Sequence, residues 1–349
     1  MILVAGAGAA GASVAYQLAL RGAGDVVLCD RGEVAGGSTS KAMGGVRQQF
    51  STAAEVRLAR ESIAFFAELG APFFEQVGYL FLATTEDGLA ALAERVRLQA
   101  GLGVPVELVD PSFVPGLEVG DVLGAAFCAE DGVADPAAVA RELSRRAVEL
   151  GVELREQCDA GPLLDGADSV VIACGPWSAE LAARVGVELP VRPLCRQLLL
   201  TDPVEAWERL PMVVEAETGF HFRRRGDRLV VAMGDADPRW GFGTEVDRAV
   251  LDDRLARLAH RFPPAAGVAI ADAWAGLYDM TPDAHPIVGR IADGVFAACG
   301  FSGHGFMQSP AVGRALAELI LDGASSVDLS PYALDRFAAG AAFPETLVL

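Results

Sequence analysis

The sequence predicts an α/β protein in which two domains are interleaved along the chain. An apolar run at residues 1–5 leads into a glycine cluster and a helix, the opening of a Rossmann-like nucleotide-binding domain. Returning strands, "GVEL" and "SVVIACG", follow a helix opened by Asp135 and Pro136, and the pattern from Val191 to about Ala273 is rich in strands. We therefore expect the nucleotide-binding domain at 1–71, 135–190 and 274–349, and an α+β domain with an antiparallel sheet at 72–134 and 191–273.

Composition and charge exclude several classes of protein. Of the 349 residues, 52% are hydrophobic, which is enough for the cores of two domains. The net charge of −19 makes nucleic acids and anionic membranes poor partners. The apolar N-terminus has no basic segment, so neither a signal peptide nor a membrane span is expected. Six cysteines stand singly, without metal-ligand spacing, and we therefore expect buried free thiols, no metal site and a reducing cytoplasm.

The first motif is the glycine cluster in "VAGAGAAG", which places Gly6, Gly8 and Gly11 in a GxGxxG spacing. In a dinucleotide-binding fold the first glycine allows a tight turn, the second lets a pyrophosphate approach and the third packs helix on strand. A second apolar strand, "DVVLCD", ends in Asp30, which would accept hydrogen bonds from ribose hydroxyls. The alternative is a glycine-rich turn with a purely structural role.

The stretch after Asp30, "RGEVAGGSTSKAMGGVRQQF", helps to distinguish a flavin from a nicotinamide dinucleotide as the ligand. A nicotinamide domain usually continues here with another regular βαβ unit, whereas this chain has about twenty residues rich in Gly, Ser and Thr. Backbone N–H groups and hydroxyls of such a loop suit a pyrophosphate and the edge of an isoalloxazine ring. The stretch favours a flavin, and a solvated surface loop is the alternative.

Several further motifs carry a resemblance that covers nearly the whole chain: "GGSTSKAMGGVRQQF", "GYLFLAT", "DGVADPAAVA", "ACGPWS", "GLYDMTPDAHPIVG" and "CGFSGHGFMQSPAVG". They resemble the FAD-dependent amino-acid and amine oxidoreductases, a family that includes D-amino acid oxidase, glycine oxidase, sarcosine oxidase and proline dehydrogenase β-subunits. The sequence is most similar to the sarcosine and proline branch. The resemblance implies an FAD-binding domain of the GR2 type interleaved with a substrate domain.

The resemblance also implies the cofactor and its contacts. Gly276 stands where monomeric sarcosine oxidases carry the cysteine bonded to flavin, so the FAD is expected to be non-covalent. The residues expected to contact FAD are Gly6, Gly8, Ala9, Ala10, Gly11, Asp30, Arg31, Gly37, Ser38, Thr39, Ala42, Gly44, Gly45, Cys174, Gly175, Trp177, Gly300, Ser302, Gly303, His304, Gly305, Phe306 and Met307.

The second glycine cluster, "CGFSGHGFMQSPAVGR" at 299–314, suits the flavin ring. Ser309 and Pro310 are predicted to start a helix, which places "GFSGHGFMQ" at or just before its positive end. Backbone N–H groups and the helix dipole would stabilise negative charge on a reduced flavin. Glycines here would let the backbone approach a flat ring closely. The two glycine clusters are thus expected to hold opposite ends of one cofactor.

The resemblance implies oxidation of a C–N bond in a small secondary, N-methyl or cyclic amino acid, with hydride transfer to the flavin and hydrolysis of the imine. Arg47 resembles the arginine that binds the substrate carboxylate in the sarcosine oxidase branch, with an ordinary surface arginine as the alternative. His221 and Tyr278 are candidates for the amine side, although ordinary sheet positions explain them equally well. Met307 stands where monomeric sarcosine oxidases carry a second carboxylate-binding lysine. The single lysine, Lys41, lies in the cofactor loop, so the lysine that activates oxygen in those oxidases has no counterpart, which favours a dehydrogenase, although other oxidases of the family lack that lysine too.

Two other classes stay open at this stage. A nicotinamide-dependent dehydrogenase would keep the first motif but leave the 299–314 turn unexplained. A non-catalytic or partner-dependent flavoprotein subunit would have the same sequence features. The expected ligand is a small amino acid or amine, and both a homo-oligomer and a complex with a partner subunit are compatible with the sequence.

Overall fold

The structure is a computed structural model that describes residues 1–346 and 349 of the chain. The chain forms two compact units. Unit 1 comprises Met1–Gly44, Asp135–Leu194 and Leu277–Glu345, and unit 2 comprises Gly45–Ala134, Cys195–Gly276 and Thr346–Leu349. Positions 347 and 348, at the end of the last predicted domain segment, lie outside the described residues.

The described residues form the following strands and helices in chain order. The strands are β1 Ile2–Ala5, β2 Val26–Cys29, β3 Gly45–Val46, β4 Phe74–Glu75, β5 Tyr79–Ala83, β6 Val106–Val109, β7 Gly124–Cys128, β8 Gly132–Ala134, β9 Glu153–Arg155, β10 Ser169–Ile172, β11 Arg192–Thr201, β12 Met212–Glu215, β13 His221–Arg225, β14 Arg228–Ala232, β15 Ile270–Met280, β16 Ile287–Ala292 and β17 Val295–Cys299. The α-helices are α1 Ala9–Leu20, α2 Ala53–Leu69, α3 Glu86–Gly101, α4 Pro136–Glu149, α5 Ser178–Arg184, α6 Arg248–Arg261 and α7 Gly305–Asp322.

Unit 1 is built on a six-stranded sheet in the order β16-β17-β10-β1-β2-β9. All neighbours are parallel except β16 and β17, which are antiparallel. The central strands are buried on both faces, which is why their sequences are continuous apolar runs. Helix α1 packs against α4 and α7, and a Cβ atom at Gly313 would lie 2.3 Å from Ser13 Oγ, so α7 requires glycine at this crossing. The predicted α/β fold class is confirmed.

Helix α4 begins as the sequence indicates. Asp135 is the N-cap, and its Oδ1 accepts hydrogen bonds from the N–H groups of Ala137 and Ala138 at 3.0 and 3.1 Å. Pro136 occupies the first helical position, where its missing N–H costs nothing. This helix brings the chain back into unit 1, where β9 pairs with β2.

Unit 2 contains an eight-stranded sheet in the order β15-β11-β14-β13-β12-β5-β7-β6, in which β12 and β5 are parallel. Helix α6 packs on one face through Leu251 and Leu258, which join a core with Val213, Phe222 and Leu199 from the sheet. A small sheet in the order β3-β8-β4 completes this unit.

Residues 45–71, which the sequence placed in the nucleotide-binding domain, lie in unit 2. The reason is long-range pairing: Gly45 of β3 pairs with Val133 of β8, and this register cannot be read from local sequence. Helix α2 follows, with Thr52 Oγ1 accepting the N–H of Glu55.

Two further expectations concern the state of the cysteines and the presence of membrane-spanning helices. All six cysteines are free thiols; Cys158 and Cys174 are half-buried and the other four are buried. Among the residues described, none of the helices combines the length and apolar character that a membrane crossing requires.

A buried ion pair ties the end of unit 1 to its sheet. Asp283 and Arg336 are 1% and 3% exposed, and two nitrogens of the guanidinium donate to the two carboxylate oxygens at 2.9 and 3.0 Å. Arg336 also donates to the main-chain oxygen of His285 at 2.9 Å. Burial alone would raise the pKa of Asp283, but the guanidinium holds this pKa below its ordinary value. The pair therefore stabilises the fold above the pKa of an unfolded aspartate, and its contribution is lost as the pH falls through the depressed pKa.

We expect Arg336→Met to lower the free energy of unfolding by about 3–5 kcal/mol at pH 7, because it leaves a buried carboxylate without its cation. Urea unfolding followed by circular dichroism measures this loss. The matched control is Arg145→Met, which removes an exposed arginine that pairs with Glu142 and Glu149, and it should leave the unfolding midpoint in place. Equal effects of the two changes would contradict a special role of the buried pair.

Candidate functional site

The first glycine turn of unit 1 has two positions that exclude any side chain. Gly6 has φ of +103°, and a Cβ there would lie 2.3 Å from the carbonyl oxygen of Ala173. A Cβ at Gly11 would lie 1.8 Å from the carbonyl oxygen of Gly6. These contacts bring the start of α1 against the carboxyl ends of β1 and β10, as expected for a dinucleotide-binding turn.

Gly8 differs from its two neighbours in the motif. Its backbone is extended, with φ of −76°, and an added Cβ would meet only the Thr39 hydroxyl, at 3.1 Å. The N–H of Ala9 donates to Thr39 Oγ1 at 3.0 Å. Ala9, Ala10 and Gly11 form the first turn of α1, which directs its N–H groups outward and favours anions.

Asp30 joins the first glycine turn to the loop that follows β2. Its Oδ2 accepts the N–H of Ala7 at 2.7 Å, and its Oδ1 accepts the N–H of Gly32 at 2.8 Å. Each carboxylate oxygen can accept a second hydrogen bond. Asp30 thus has a structural role in the loop and retains the capacity to bind hydroxyl groups.

The Gly, Ser and Thr loop of unit 1 is ordered by contacts within that unit. Arg31 lies over the Trp177 ring, with Cζ 4.2 Å from the ring centroid. Ser38 Oγ donates to the main-chain oxygen of Leu277 at 2.7 Å, and the N–H of Ala42 donates to the main-chain oxygen of Thr39 at 3.4 Å. The other loop residues expected at the cofactor are Gly37 and Gly44 in the same loop, and Cys174 and Gly175 directly after β10.

Gly45 is the one member of that predicted set that belongs to unit 2. It belongs to β3 of unit 2, where a Cβ would lie 2.1 Å from the hydroxyl oxygen of Tyr79. The glycine is therefore required by packing inside unit 2.

The second glycine turn follows β17 in unit 1. Gly300, Ser302 and Gly303 all have positive φ, of +73°, +53° and +97°. A Cβ at Gly300 would lie 2.4 Å from Thr281 Cγ2, and one at Gly303 would lie 2.4 Å from Tyr278 Cε2. Close packing against the protein's own side chains thus explains these two glycines, a reason that differs from the expected approach to a flat ring.

Asp279 holds this turn through hydrogen bonds, a role that was not predicted from the sequence. Its Oδ2 accepts the N–H of Gly300 at 2.7 Å, and its main-chain oxygen accepts the N–H of Ser302 at 3.0 Å. Burial raises the pKa of Asp279 to about 6, against the lowering effect of the backbone N–H groups. The available signal was an acid inside the otherwise apolar and aromatic strand "GLYDM".

Helix α7 begins earlier than predicted. His304 is the N-cap and Gly305 the first helical residue, so Pro310 lies inside the helix. Proline cannot donate to the carbonyl of Phe306 four residues earlier, but Ser309 Oγ donates to that oxygen instead, at 2.9 Å. The first turn therefore comprises Gly305, Phe306 and Met307, whose N–H groups point out of the helix N-terminus. The predicted positive helix end is present, and it starts at the glycine turn itself.

The two substrate-side candidates Arg47 and His221 lie in unit 2. Strand register places Phe81, Val214, His221, Ala232 and Leu198 in one row across the large sheet. The residues directly before and after these five in the sequence pack under α6. Since side chains alternate along a strand, the row lies on the face of the sheet opposite α6. Tyr278, the third candidate, belongs to unit 1 and packs on Gly303.

Arg47 is 1% exposed and lies between aromatic rings of unit 2. Its Cζ is 4.1 Å from the ring centroid of Phe50 and 5.6 Å from that of Phe81, at one end of the row. One terminal nitrogen donates to the main-chain oxygen of Gln49. Arg47 is therefore a buried cation, which excludes the alternative of an ordinary surface arginine.

His221 is 3% exposed, and its Nδ1 lies 2.7 Å from the carbonyl oxygen of Gly219. A carbonyl only accepts, so Nδ1 carries the proton in the neutral ring and Nε2 has the lone pair. Burial lowers the pKa of His221 to about 4, and the positive charges of Arg254, Arg47 and Arg196 act in the same direction. At pH 7 this histidine is neutral.

Comparison with known proteins identifies the family. A family model described as "FAD dependent oxidoreductase" matches residues 1–319. The chain belongs to this family. FAD, rather than a nicotinamide, is therefore its cofactor, which confirms the prediction from the two glycine clusters.

The relatives are similar in sequence and in fold. Glycine oxidase of Geobacillus kaustophilus is 28% identical, with 96% of each chain covered. Sarcosine dehydrogenase of Mus musculus is 25% identical over 96% of this chain, which spans only 41% of that longer relative. The crystal structure of L-proline dehydrogenase from P. horikoshii matches with a TM-score of 0.89 and 28% identity, and 97% of this chain and 98% of that chain are covered.

The residues of unit 1 fit FAD. The turns at Gly6, Asp30, Cys174 and Gly300 each follow the carboxyl end of a strand, β1, β2, β10 and β17, and these strands are neighbours in one sheet. The two helix N-termini, of α1 and α7, offer N–H groups suited to a pyrophosphate and to an electron-rich ring edge. The individual contacts to FAD stay predictions.

We expect Gly8→Val to abolish FAD binding while leaving the fold partly intact, because within the protein the added Cβ would press only on the Thr39 hydroxyl, at 3.1 Å, but the side chain would fill the place of the pyrophosphate. Gly11→Val should instead destabilise unit 1, because its Cβ collides with the Gly6 backbone. The flavin-to-protein ratio after reconstitution and the circular dichroism spectrum measure the two effects. A normal flavin content in Gly8→Val would show that the motif is only structural.

Proposed function

We propose that the protein oxidises the C–N bond of a small amino acid with a secondary, N-methylated or cyclic amine. The names of its relatives, glycine oxidase, sarcosine dehydrogenase and L-proline dehydrogenase, support this class of substrate. The single structural observation that carries the proposal is the buried guanidinium of Arg47 in unit 2. The residues of unit 1 would hold FAD, which when bound would supply the acceptor for the hydride from the carbon next to the amine; water would then hydrolyse the imine.

Arg47 has the properties needed to bind the substrate carboxylate. A guanidinium pairs with a carboxylate through two parallel hydrogen bonds, which orients the ligand as well as binding it. The rings of Phe50 and Phe81 flank Arg47 and hold it away from water, which strengthens such a pair. The role of Arg47 in this scheme is to fix the amino-acid end that does not react.

His221 has the properties needed at the amine. A C–N oxidation requires the substrate nitrogen without its extra proton, since the lone pair assists loss of the hydride. At pH 7 the neutral ring of His221 has a lone pair at Nε2 that can accept a hydrogen bond from the amine N–H, whereas its pKa of about 4 makes it too weak a base to take the proton of an ammonium group. Tyr278 remains a second candidate for the amine side.

The proposal extends to the attachment of the flavin, the electron acceptor and a partner subunit. FAD is held without a covalent bond, since Gly276 stands where a bonded cysteine occurs in monomeric sarcosine oxidases. The only lysine, Lys41, is exposed in the cofactor loop, which favours an acceptor other than oxygen. A partner-dependent subunit is the second candidate function, because one relative that the chain matches over most of its length is named sarcosine oxidase subunit beta.

We expect the purified protein to be yellow and acid precipitation to release all of its flavin as FAD, because no side chain is bonded to the ring. Absorbance of the supernatant and chromatography against FAD and FMN standards measure this. Colour that stays with the precipitated chain would contradict non-covalent binding. A colourless protein that cannot be reconstituted would contradict the cofactor assignment.

We expect Arg47→Ala to reduce kcat/KM for a carboxylated substrate by about thirtyfold or more, because loss of a desolvated guanidinium–carboxylate pair costs about 2–5 kcal/mol. The substrate pairs are L-proline with pyrrolidine, and sarcosine with dimethylamine. For the amine without a carboxylate the loss should be much smaller. Anaerobic bleaching of the flavin measures both rates without assuming an electron acceptor.

Arg47→Lys is the matched control, because lysine keeps the positive charge but lacks the planar guanidinium that forms two parallel hydrogen bonds. Its kcat/KM should lie between those of Arg47→Ala and the wild type. Equal losses on both members of a pair would place Arg47 at the fold or the flavin. Bleaching by none of the four compounds would contradict the proposed substrate class.

A further inference from the structure

We propose that Asp131 is a positioning residue. Through its hydrogen bonds to Gln48 and Gln49 it holds the Arg47 guanidinium in the place that carboxylate binding requires. This inference rests on the proposed role of Arg47. Asp131 precedes β8, is 0% exposed and lies in unit 2 with Arg47. Neither the sequence motifs nor the proposed chemistry assigns it a role.

Both carboxylate oxygens of Asp131 face the segment that follows Arg47. Oδ1 accepts the main-chain N–H of Gln48 at 2.9 Å and its side-chain Nε2 at 3.3 Å. Oδ2 accepts from Gln49 Nε2 at 3.1 Å. One buried carboxylate thus receives three N–H donors from two consecutive residues.

The same segment holds the arginine. The main-chain oxygen of Gln49 accepts a hydrogen bond from a terminal nitrogen of Arg47, and Gln49 Nε2 also donates to the main-chain oxygen of Tyr79 at 3.1 Å. Gln49 is therefore attached at its side chain to Asp131 and to β5, and at its backbone to the guanidinium. Loosening Gln49 would move the group that orients Arg47, and displacements of about 1 Å cost up to about a hundredfold in rate.

The arrangement requires an ionised carboxylate. Three N–H donors need an acceptor, whereas a protonated carboxyl would turn an O–H toward one of them. Burial raises the pKa of Asp131 to about 6, opposed by the hydrogen bonds from Gln49 and Gln48. Asp131 is therefore ionised at pH 7 and becomes protonated as the pH falls through about 6.

Two neighbouring groups with shifted pKa values act away from pH 6. Cys128 of β7 has a pKa raised by burial, so it remains a neutral thiol. Burial lowers the pKa of His221 of β13 to about 4, and arginine stays charged throughout. The pKa of Asp131, by contrast, lies near 6.

The test is Asp131→Asn in the FAD-loaded enzyme, assayed with the same carboxylated and decarboxylated pairs. Asparagine keeps the shape but directs an N–H at one of the glutamine donors, so Arg47 loses its fixed position. We expect KM for the carboxylated substrate to rise about tenfold to a hundredfold, with a much smaller change for the amine that lacks the carboxylate. We expect the wild type to show a selective decline of kcat/KM below about pH 6, and this decline should be absent from the variant.

Glu215→Gln is the matched control, because Glu215 is a buried acid of unit 2 that pairs with Arg261 away from the Arg47 segment. It should lower stability without changing the ratio of the two substrates. If Asp131→Asn does not fold, Gln49→Met decides, since it removes the bond to Oδ2 and keeps the main-chain oxygen that holds Arg47. A selective rise in KM for this variant supports the proposal, and no selective rise overturns it.

Other outcomes separate this inference from the proposed function. Equal losses on both substrates at every pH would show that Asp131 only supports the fold. A selective loss in Arg47→Ala without one in Asp131→Asn overturns the positioning role alone. No selective loss in Arg47→Ala means that the carboxylate is bound elsewhere, and the proposed function then fails together with this inference.

Discussion

The close backbone contact at the first glycine turn is the constraint on which unit 1 depends. Gly6 and Gly11 leave no room for a side chain, so α1 starts directly at the end of β1 and against the chain after β10. This placement puts the N-terminus of α1 at the same edge of the sheet as the ends of β2 and β17, where Asp30 and the second glycine turn follow. Four segments distant in sequence thus meet at one edge of a sheet, the edge at which open α/β folds bind nucleotides.

Buried acids organise the polar segments in both units. Asp279 receives N–H groups of the second glycine turn, and Asp131 receives those of Gln48 and Gln49. Burial raises both pKa values to about 6, above the unfolded value. Their effect on stability is therefore favourable near pH 4 and is lost as the pH rises through about 6. Such a cost at neutral pH is typical of groups retained to hold a defined geometry.

The ion pair of Asp283 and Arg336 has the opposite dependence on pH. The guanidinium holds the pKa of this carboxyl below its ordinary value, so the pair stabilises the protein at neutral pH. Unit 1 therefore contains one buried acid that is paired with a cation and another that is surrounded by backbone N–H groups. Burial decides the upward pKa shift of Asp279, because its backbone N–H partners offset the lost solvation only in part, whereas the guanidinium of Arg336 outweighs burial at Asp283.

The sequence by itself determined the α/β class and the nucleotide fingerprint, and the resemblance of its motifs indicated the family and FAD. The class and the fingerprint depend on local chemistry: apolar runs form the buried strands β1 and β2, Gly6 occupies a position with positive φ, and Asp135 with Pro136 opens α4. Tertiary structure alone decided that residues 45–71 belong to unit 2, since the β3–β8 register joins residues far apart in the chain. It also decided that Pro310 lies within α7, because the Ser309 hydroxyl replaces the missing donor. The roles of Asp131 and Asp279 depend on partners distant in sequence, and the local sequence offered a signal for Asp279 alone, as an acid within an apolar strand.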